Sequence, residues 1–182
     1  MVLGRHTKIC KSYIMKSISI RGKRNIDSIE GEKTAVRTGM ECIGDEDISH
    51  ENQIAMINKL YMGDDFEYST TVKKELTKKI NSYKNQDVKK GTYDEKKLIS
   101  FEDTIEKLVS SKLLCYYCSK NVKILYKNVR EPYQWTLDRK DNDDCHSNYN
   151  TIIACMKCNL ERRVTDIDKF TFTKRLKIKR VE

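Results

Sequence analysis

Cys115-Tyr-Tyr-Cys118 and Cys155-Met-Lys-Cys158 are the residues whose types and spacing most directly imply chemistry in this chain. Each Cys-x-x-Cys turn lends two thiolates, and two such turns separated by residues 119–154 are what one tetrahedral zinc ion needs. Four cysteine ligands close the coordination sphere, so zinc held there is expected to be structural, with no open position for a substrate. Oxygen donors and cations lie close by in sequence: Trp135-Thr-Leu-Asp-Arg-Lys-Asp141 falls between the pairs, and Asn159-Leu-Glu-Arg-Arg163 follows the second. Asp138 on or just past a strand and Asn159 at the start of the next helix could share a hard ion such as Mg²⁺. Such an ion keeps several waters and completes its sphere from phosphate.

The elements that must position these groups are readable in part. Residues 1–47 show no clear period and are expected to be mostly coil, with a short strand at Ser17–Ile20. Ile54, Ile57, Leu60 and Tyr61 recur at helical intervals in Asp47–Tyr61, and Val72, Leu76 and Ile80 do so in Val72–Tyr83. Lys73, Lys74, Lys78 and Lys79 flank that second stripe, as on an ordinary solvated helix. Gln86–Tyr93 reads as a linker punctuated by Gly91. Ser100 reads as an N-cap, with Glu102 and Asp103 in the first turn and Ile105, Leu108 and Val109 as the apolar stripe. Val122–Tyr126, Trp135–Leu137 and Ile152–Ala154 read as strands, the last preceding a helix that Asn159 opens. The predicted class is α+β, with a zinc-stapled module over 96–170. A mainly helical or partly irregular region covers 1–95, and a basic tail covers 171–182.

Composition narrows the partners. The formal charge is +9 from 36 Lys and Arg against 27 Asp and Glu, which favours a polyanion because each cation set on a phosphate releases counterions. Cys10, Cys42 and Cys145 stand apart from the pairs and the total of seven cysteines is odd, so a reducing, intracellular compartment is expected rather than a disulfide scaffold. No apolar run is long enough for a membrane span, and no secretory signal pattern opens the chain. Residues 1–26 carry Lys and Arg without Asp or Glu. They read as a solvated basic arm, with an organelle presequence as the less favoured reading because their periodicity is poor.

Taken together, Cys115-x-x-Cys118, Trp135-Thr-Leu-Asp-Arg-Lys-Asp-Asn142, His146-x-x-x-Asn150 and Cys155-x-x-Cys158-Asn159 with Arg162 and Arg163 resemble the HNH endonuclease superfamily, the ββα-metal nucleases. The likeness is to the variety found in large DNA viruses and phages, and it covers about residues 100–170. It implies a DNA phosphodiester hydrolase, nicking one strand per site, located in a host cytoplasm or nucleus if viral. It further implies Asp138 and Asn159 as ligands of a catalytic Mg²⁺ or Mn²⁺, Asn150 as the brace of the loop, and Cys115, Cys118, Cys155 and Cys158 as structural zinc ligands. Branched DNA or RNA are alternative substrates. Oligomeric state is not implied.

The chain departs from the pattern at Arg139, which stands where family members with an Asp-His pair carry the base. An arginine stays protonated and cannot take a proton from water, but it can bind the scissile phosphate. The base is then expected to be His146, Asp141 or metal-activated water. Arg162 and Arg163 are expected to hold phosphate beside Asn159, and a tail with Lys169, Lys174, Arg175, Lys177, Lys179 and Arg180 to clamp the duplex. Trp135 is expected in the core. Cys145 next to His146 is not read as a nucleophilic dyad, because adjacent side chains seldom face each other. The competing function is a zinc-ribbon nucleic-acid-binding protein without efficient catalysis, a reading against which the presence of Asp138 and Asn159 counts.

Overall fold

The computed structural model describes residues 36–176. The strand expected at Ser17–Ile20, the basic arm of residues 1–26, and Lys177, Lys179 and Arg180 lie outside them. The described elements are α1 (His50–Met62), α2 (Ser69–Lys90), α3 (Phe101–Ser110), β1 (Trp135–Arg139), β2 (Thr151–Cys155), α4 (Met156–Arg162) and α5 (Ile167–Arg175). The class is α+β, as expected. Strands β1 and β2 pair antiparallel, with Trp135 opposite Cys155, Leu137 opposite Ile153 and Asp138 opposite Ile152. Helix α4 follows β2 without a loop.

Helix ends obey local chemistry. The Ser49 hydroxyl accepts from the Asn52 amide at the start of α1, and Gly63 ends that helix at φ 80, a conformation open to glycine. At α3, Ser100 and Asp103 form a reciprocal capping box. Asp166 caps α5 by accepting from the amides of Asp168 and Lys169.

Packing runs across residue 95. The described residues belong to one compact unit. Ile57 of α1, Val72, Leu76 and Tyr83 of α2, and Ile105 and Leu108 of α3 share one core with Trp135, Leu137, Ile153 and Ala154. Trp135 is fully buried there. Residues 171–175, expected to belong to a tail, form the second half of α5.

Three expected elements differ. The linker expected from Gln86 is helical through Lys90, and α2 stops at Gly91, which adopts φ 73. Its buried face continues past Tyr83 not with another apolar residue but with Asp87, so hydrophobic periodicity loses it. Residues 122–126 form no strand. The amides of Ile124 and Leu125 instead donate to the buried side chain of Gln53, at 2.7 and 2.9 Å. The helix expected to open at Asn159 opens at Met156, with Cys155 as its N-cap and its sulfur accepting from the Cys158 amide, so Asn159 sits in the second turn.

Candidate functional site

The four sulfurs of Cys115, Cys118, Cys155 and Cys158 lie within 4.8 Å of one another, and Cys118 and Cys155 are 3.9 Å apart. A tetrahedral zinc–thiolate centre has bonds of about 2.3 Å, which puts its sulfurs roughly 3.8 Å apart, so the donor set and spacing fit one metal ion. The first Cys-x-x-Cys turn is closed by the Ser119 amide on the Cys115 carbonyl at 2.9 Å, with Ser119 at φ 55. The Tyr116 amide, donating to the Ile153 carbonyl at 2.9 Å, fastens that turn to β2. A hydrogen bond from Cys155 holds the Cys115 thiol down at about 5. That same bond, then burial, pushes Cys155 up, while burial pushes Cys158 up to about 12. Cys155 and Cys158 thus resist ionising on their own, and a cation among the four sulfurs would favour their thiolates. It is the one such group of three or more metal-capable side chains among the described residues.

On the α2 side of the sheet lies a cleft of about 520 Å³, walled by Asp138, Arg139, His146, Asn159 and Arg163, with Lys79 and Lys90 of α2 among its other lining residues. Four of these are Lys or Arg and one is acidic, so the cleft favours an anion. Lys79 is bonded to the Trp135 carbonyl and stands over the indole ring at 4.9 Å. Burial first, then Arg37, brings its amine down to about 7. Arg163 leaves α4 at φ 52 and is exposed on the cleft wall, its carbonyl held by the Asn142 amide group at 3.1 Å.

Asp138 is buried and its carboxylate is heavily engaged. Arg162 reaches it through Nε at 2.7 Å and a terminal nitrogen at 3.0 Å, and the Tyr117 hydroxyl donates at 2.5 Å. Burial, then Asp138, pushes the Tyr117 hydroxyl up, which keeps it a donor. Arg162 also donates to the carbonyls of Thr165 and Arg139, and although burial opposes its charge, Asp138 holds it above its ordinary range. Arg162 was expected to hold phosphate. At 1% exposure it is instead the buried counter-ion of Asp138.

A divalent ion can be tested against these groups. Asp138 Oδ1 accepts one hydrogen bond and retains a second lone pair, and the Asn159 amide donates to Thr136 Oγ1 at 3.1 Å, leaving its oxygen as an acceptor. Two oxygen donors are thus present. The carboxylate charge, however, is already balanced by Arg162, so an ion there must draw much of its attraction from a bound phosphate.

His146 is buried and is one of the residues that line the cleft. Its Nδ1 lies 2.6 Å from Asp87, the Tyr83 ring stacks on it at 4.7 Å, and the Asp87 carboxylate is in turn 3.5 Å from Arg139. Burial, only partly offset by Asp87, holds the imidazole below its ordinary value of 6.5 and therefore neutral near pH 7. Sequence reasoning missed Asp87. Its one signal is position: four residues after Tyr83, it continues the buried face of α2 with an acidic residue.

Other expected residues fall elsewhere. Asn150 is not in the cleft; its amide donates to the carbonyls of Asp141 and Cys145 and accepts from the Asp141 amide, which braces the loop between the strands. Asp141 is exposed, accepts from the Asp143 amide and does not line the cleft, so it is not poised as a base. Lys174 pairs with Glu161, and Arg175 donates to the Tyr116 carbonyl at 2.5 Å, so these two fasten α5 to α4 and to the first cysteine turn. Lys177 lies outside the described residues. Cys145 is buried, and burial followed by Asp144 pushes its thiol up, which removes it as a nucleophile. No helix among the described residues is long and apolar enough to cross a membrane. Comparisons with protein-family models, with curated proteins and with solved structures find no match.

Proposed function

We propose that the chain is a metal-dependent endonuclease of the HNH type, with zinc on its four cysteines, that hydrolyses phosphodiester bonds in DNA and nicks one strand per site. The observation that carries this reading is the convergence of Asp138, Asn159, Arg139, Arg163 and a neutral His146 in one cationic cleft beside the strand-strand-helix unit tied to the cysteine cluster. Arg163 on the wall and the part of the Arg139 guanidinium not used by Asp144 and Asp87 hold the phosphate oxygens, as forked donors do. Asn159 and the free lone pair of Asp138 would hold Mg²⁺ or Mn²⁺. When bound, such an ion supplies positive charge to the phosphate and to the departing 3′ oxygen. The Asp138–Arg162 pair keeps the end of β1 fixed against the end of α4, and so sets the spacing of Arg139, Asn159 and Arg163.

A second reading, a zinc-stapled module that binds nucleic acid without cutting it, is favoured by the saturation of Asp138 by Arg162 and Tyr117. The test is conversion of supercoiled plasmid to open circles with Mg²⁺ or Mn²⁺, by wild type and by Asn159→Ala with cysteine-bound metal verified. Nicking by the wild type alone supports the nuclease. A wild type that retards DNA in a gel but never nicks it with either ion supports the binding module.

A further inference from the structure

We propose that Asp87, on α2, is the positioning residue that holds His146 as the base of this cleft; the inference rests on the nuclease reading, which already expects a base there. The warrant is the geometry of the pair. One oxygen of the Asp87 carboxylate accepts the main-chain amide of His146 at 2.8 Å, and the other faces Nδ1 of the same residue at 2.6 Å. A carboxylate with no proton can only accept, so Nδ1 must carry the hydrogen. Nε2 is then the acceptor. It has no protein partner among the described residues, and His146 lines the cleft together with Asp138, Arg139 and Asn159. Tyr83, one helical turn before Asp87, stacks on the ring and fixes its plane.

Burial sharpens the case. Asp87 is 0% exposed on a helix that otherwise buries mainly apolar groups, and a carboxylate there is costly unless paired. Its partners are His146 and, at 3.5 Å, Arg139, the two cleft residues that flank the proposed phosphate position from different segments. Arg139 cannot accept a proton, Asp141 and Asn150 do not line the cleft, and the Lys79 amine is tied to the Trp135 carbonyl, so His146, whose Nε2 is not so engaged, is the acceptor of suitable basicity.

The step balances as follows. Water oxygen forms the new bond to phosphorus as the bond from phosphorus to the 3′ oxygen breaks, and the proton of the attacking water passes to Nε2. The departing 3′ oxygen takes a proton from a second water. The hydroxide so formed recovers the proton from the imidazolium, leaving 5′-phosphate, 3′-hydroxyl and neutral His146. Asp87 exchanges no proton with the substrate and acts through His146.

The test uses the full chain with its cysteine metal loaded. His146→Asn keeps a donor for Asp87 but lacks Nε2, and it is expected to nick DNA roughly 10²–10⁴-fold more slowly, the usual contribution of a positioned base. His146→Ala should regain part of its rate when imidazole is added. Asp87→Asn can satisfy the His146 amide with its carbonyl but then presents an amide N–H to Nδ1. The ring proton should move to Nε2, visible in ¹⁵N shifts, and nicking should fall while DNA affinity holds and the variant remains folded at the assay temperature. A folded His146→Asn that cuts at the wild-type rate overturns the base role while leaving the nuclease reading standing. An Asp87→Asn that changes neither tautomer nor rate overturns the positioning role. A wild type that binds DNA and never cuts it overturns the nuclease reading and the base role together.

Discussion

Asp138 illustrates how a side chain named for one task is held by another. Its carboxylate is the buried anion that Arg162 requires, so Asp138→Ala strands a guanidinium at 1% exposure. Removing one partner of such a pair costs about 3–5 kcal/mol, and urea unfolding should show a loss of that size, whereas Asp138→Leu with Arg162→Met should recover much of it. A loss below about 1 kcal/mol for the single variant would mean that the pair is not formed in solution. Loss of activity in Asp138→Ala is therefore ambiguous, which is why Asn159 is the better probe of the cleft. At His146 the relevant variable is pH. Folding lowers its pKa, so its contribution to stability is complete above the ordinary value of 6.5 and is lost as pH falls through the lowered folded value. The groups facing it are Asp87 and Tyr83 from α2 and Asp138 and Arg139 from β1. Nicking should be level near neutrality and decline below pH 6.5 as the imidazole charges. An acid limb that persists in folded His146→Asn would assign that proton to another group.

At the scale of elements, what the sequence disclosed and what it hid divide by physical cause. Ile57 and Leu60 of the α1 stripe, the Ser100 cap and the strands at Trp135–Leu137 and Ile152–Ala154 were legible because apolar periodicity and capping chemistry are local signals, whereas Tyr61, read into the α1 stripe, is 55% exposed. The cysteine cluster was legible for the same reason: two short spacings specify it. Residues 122–126 were misread because only Lys123 pairs with the chain entering β1, while the amides of Ile124 and Leu125 are satisfied by one side chain, Gln53, more than seventy positions away. Gln53→Ala should leave two buried amides without acceptors and lower stability by about 2–4 kcal/mol in denaturant unfolding. A change within about 0.5 kcal/mol would show that water replaces the side chain there. The end of α2 was hidden because its anchoring residue is polar. Asp87 binds the main chain and ring of His146 across 59 positions, and no window of local sequence contains that pair. Arg162 was read as a phosphate ligand because spacing places it near Asn159 but does not reveal which way it faces. The core shared by α1 and α2 with the sheet implies that a fragment beginning near residue 95 lacks both packing partners and His146's anchor. Such a fragment should fail to give a cooperative unfolding transition even with zinc.

For the molecule as a whole, the cysteine cluster and the cleft share one frame. Cys155 ends β2 and caps α4, the helix that carries Asn159 and Arg162, so removing metal should loosen the cleft as well as the cysteine turns. Structural zinc sites contribute about 10–16 kcal/mol of apparent binding free energy at neutral pH, so Cys158→Ser or a strong chelator should abolish cooperative folding. An unchanged melting midpoint in chelator would show that the four thiols need no ion. The positive balance of the chain predicts DNA affinity that falls steeply with salt, and the same dependence should persist in Asn159→Ala because that residue carries no charge. Binding and cutting are thus separable, and their separation bears on the central claim most directly. The decisive measurement is plasmid nicking and DNA retardation in the same Mg²⁺ or Mn²⁺ reactions, by wild type and Asn159→Ala of equal metal content. Nicking by the wild type, with binding retained and nicking lost in Asn159→Ala, is the expected result. Binding without nicking by the wild type, or equal nicking by both, would contradict the assignment of phosphodiester hydrolysis to this cleft.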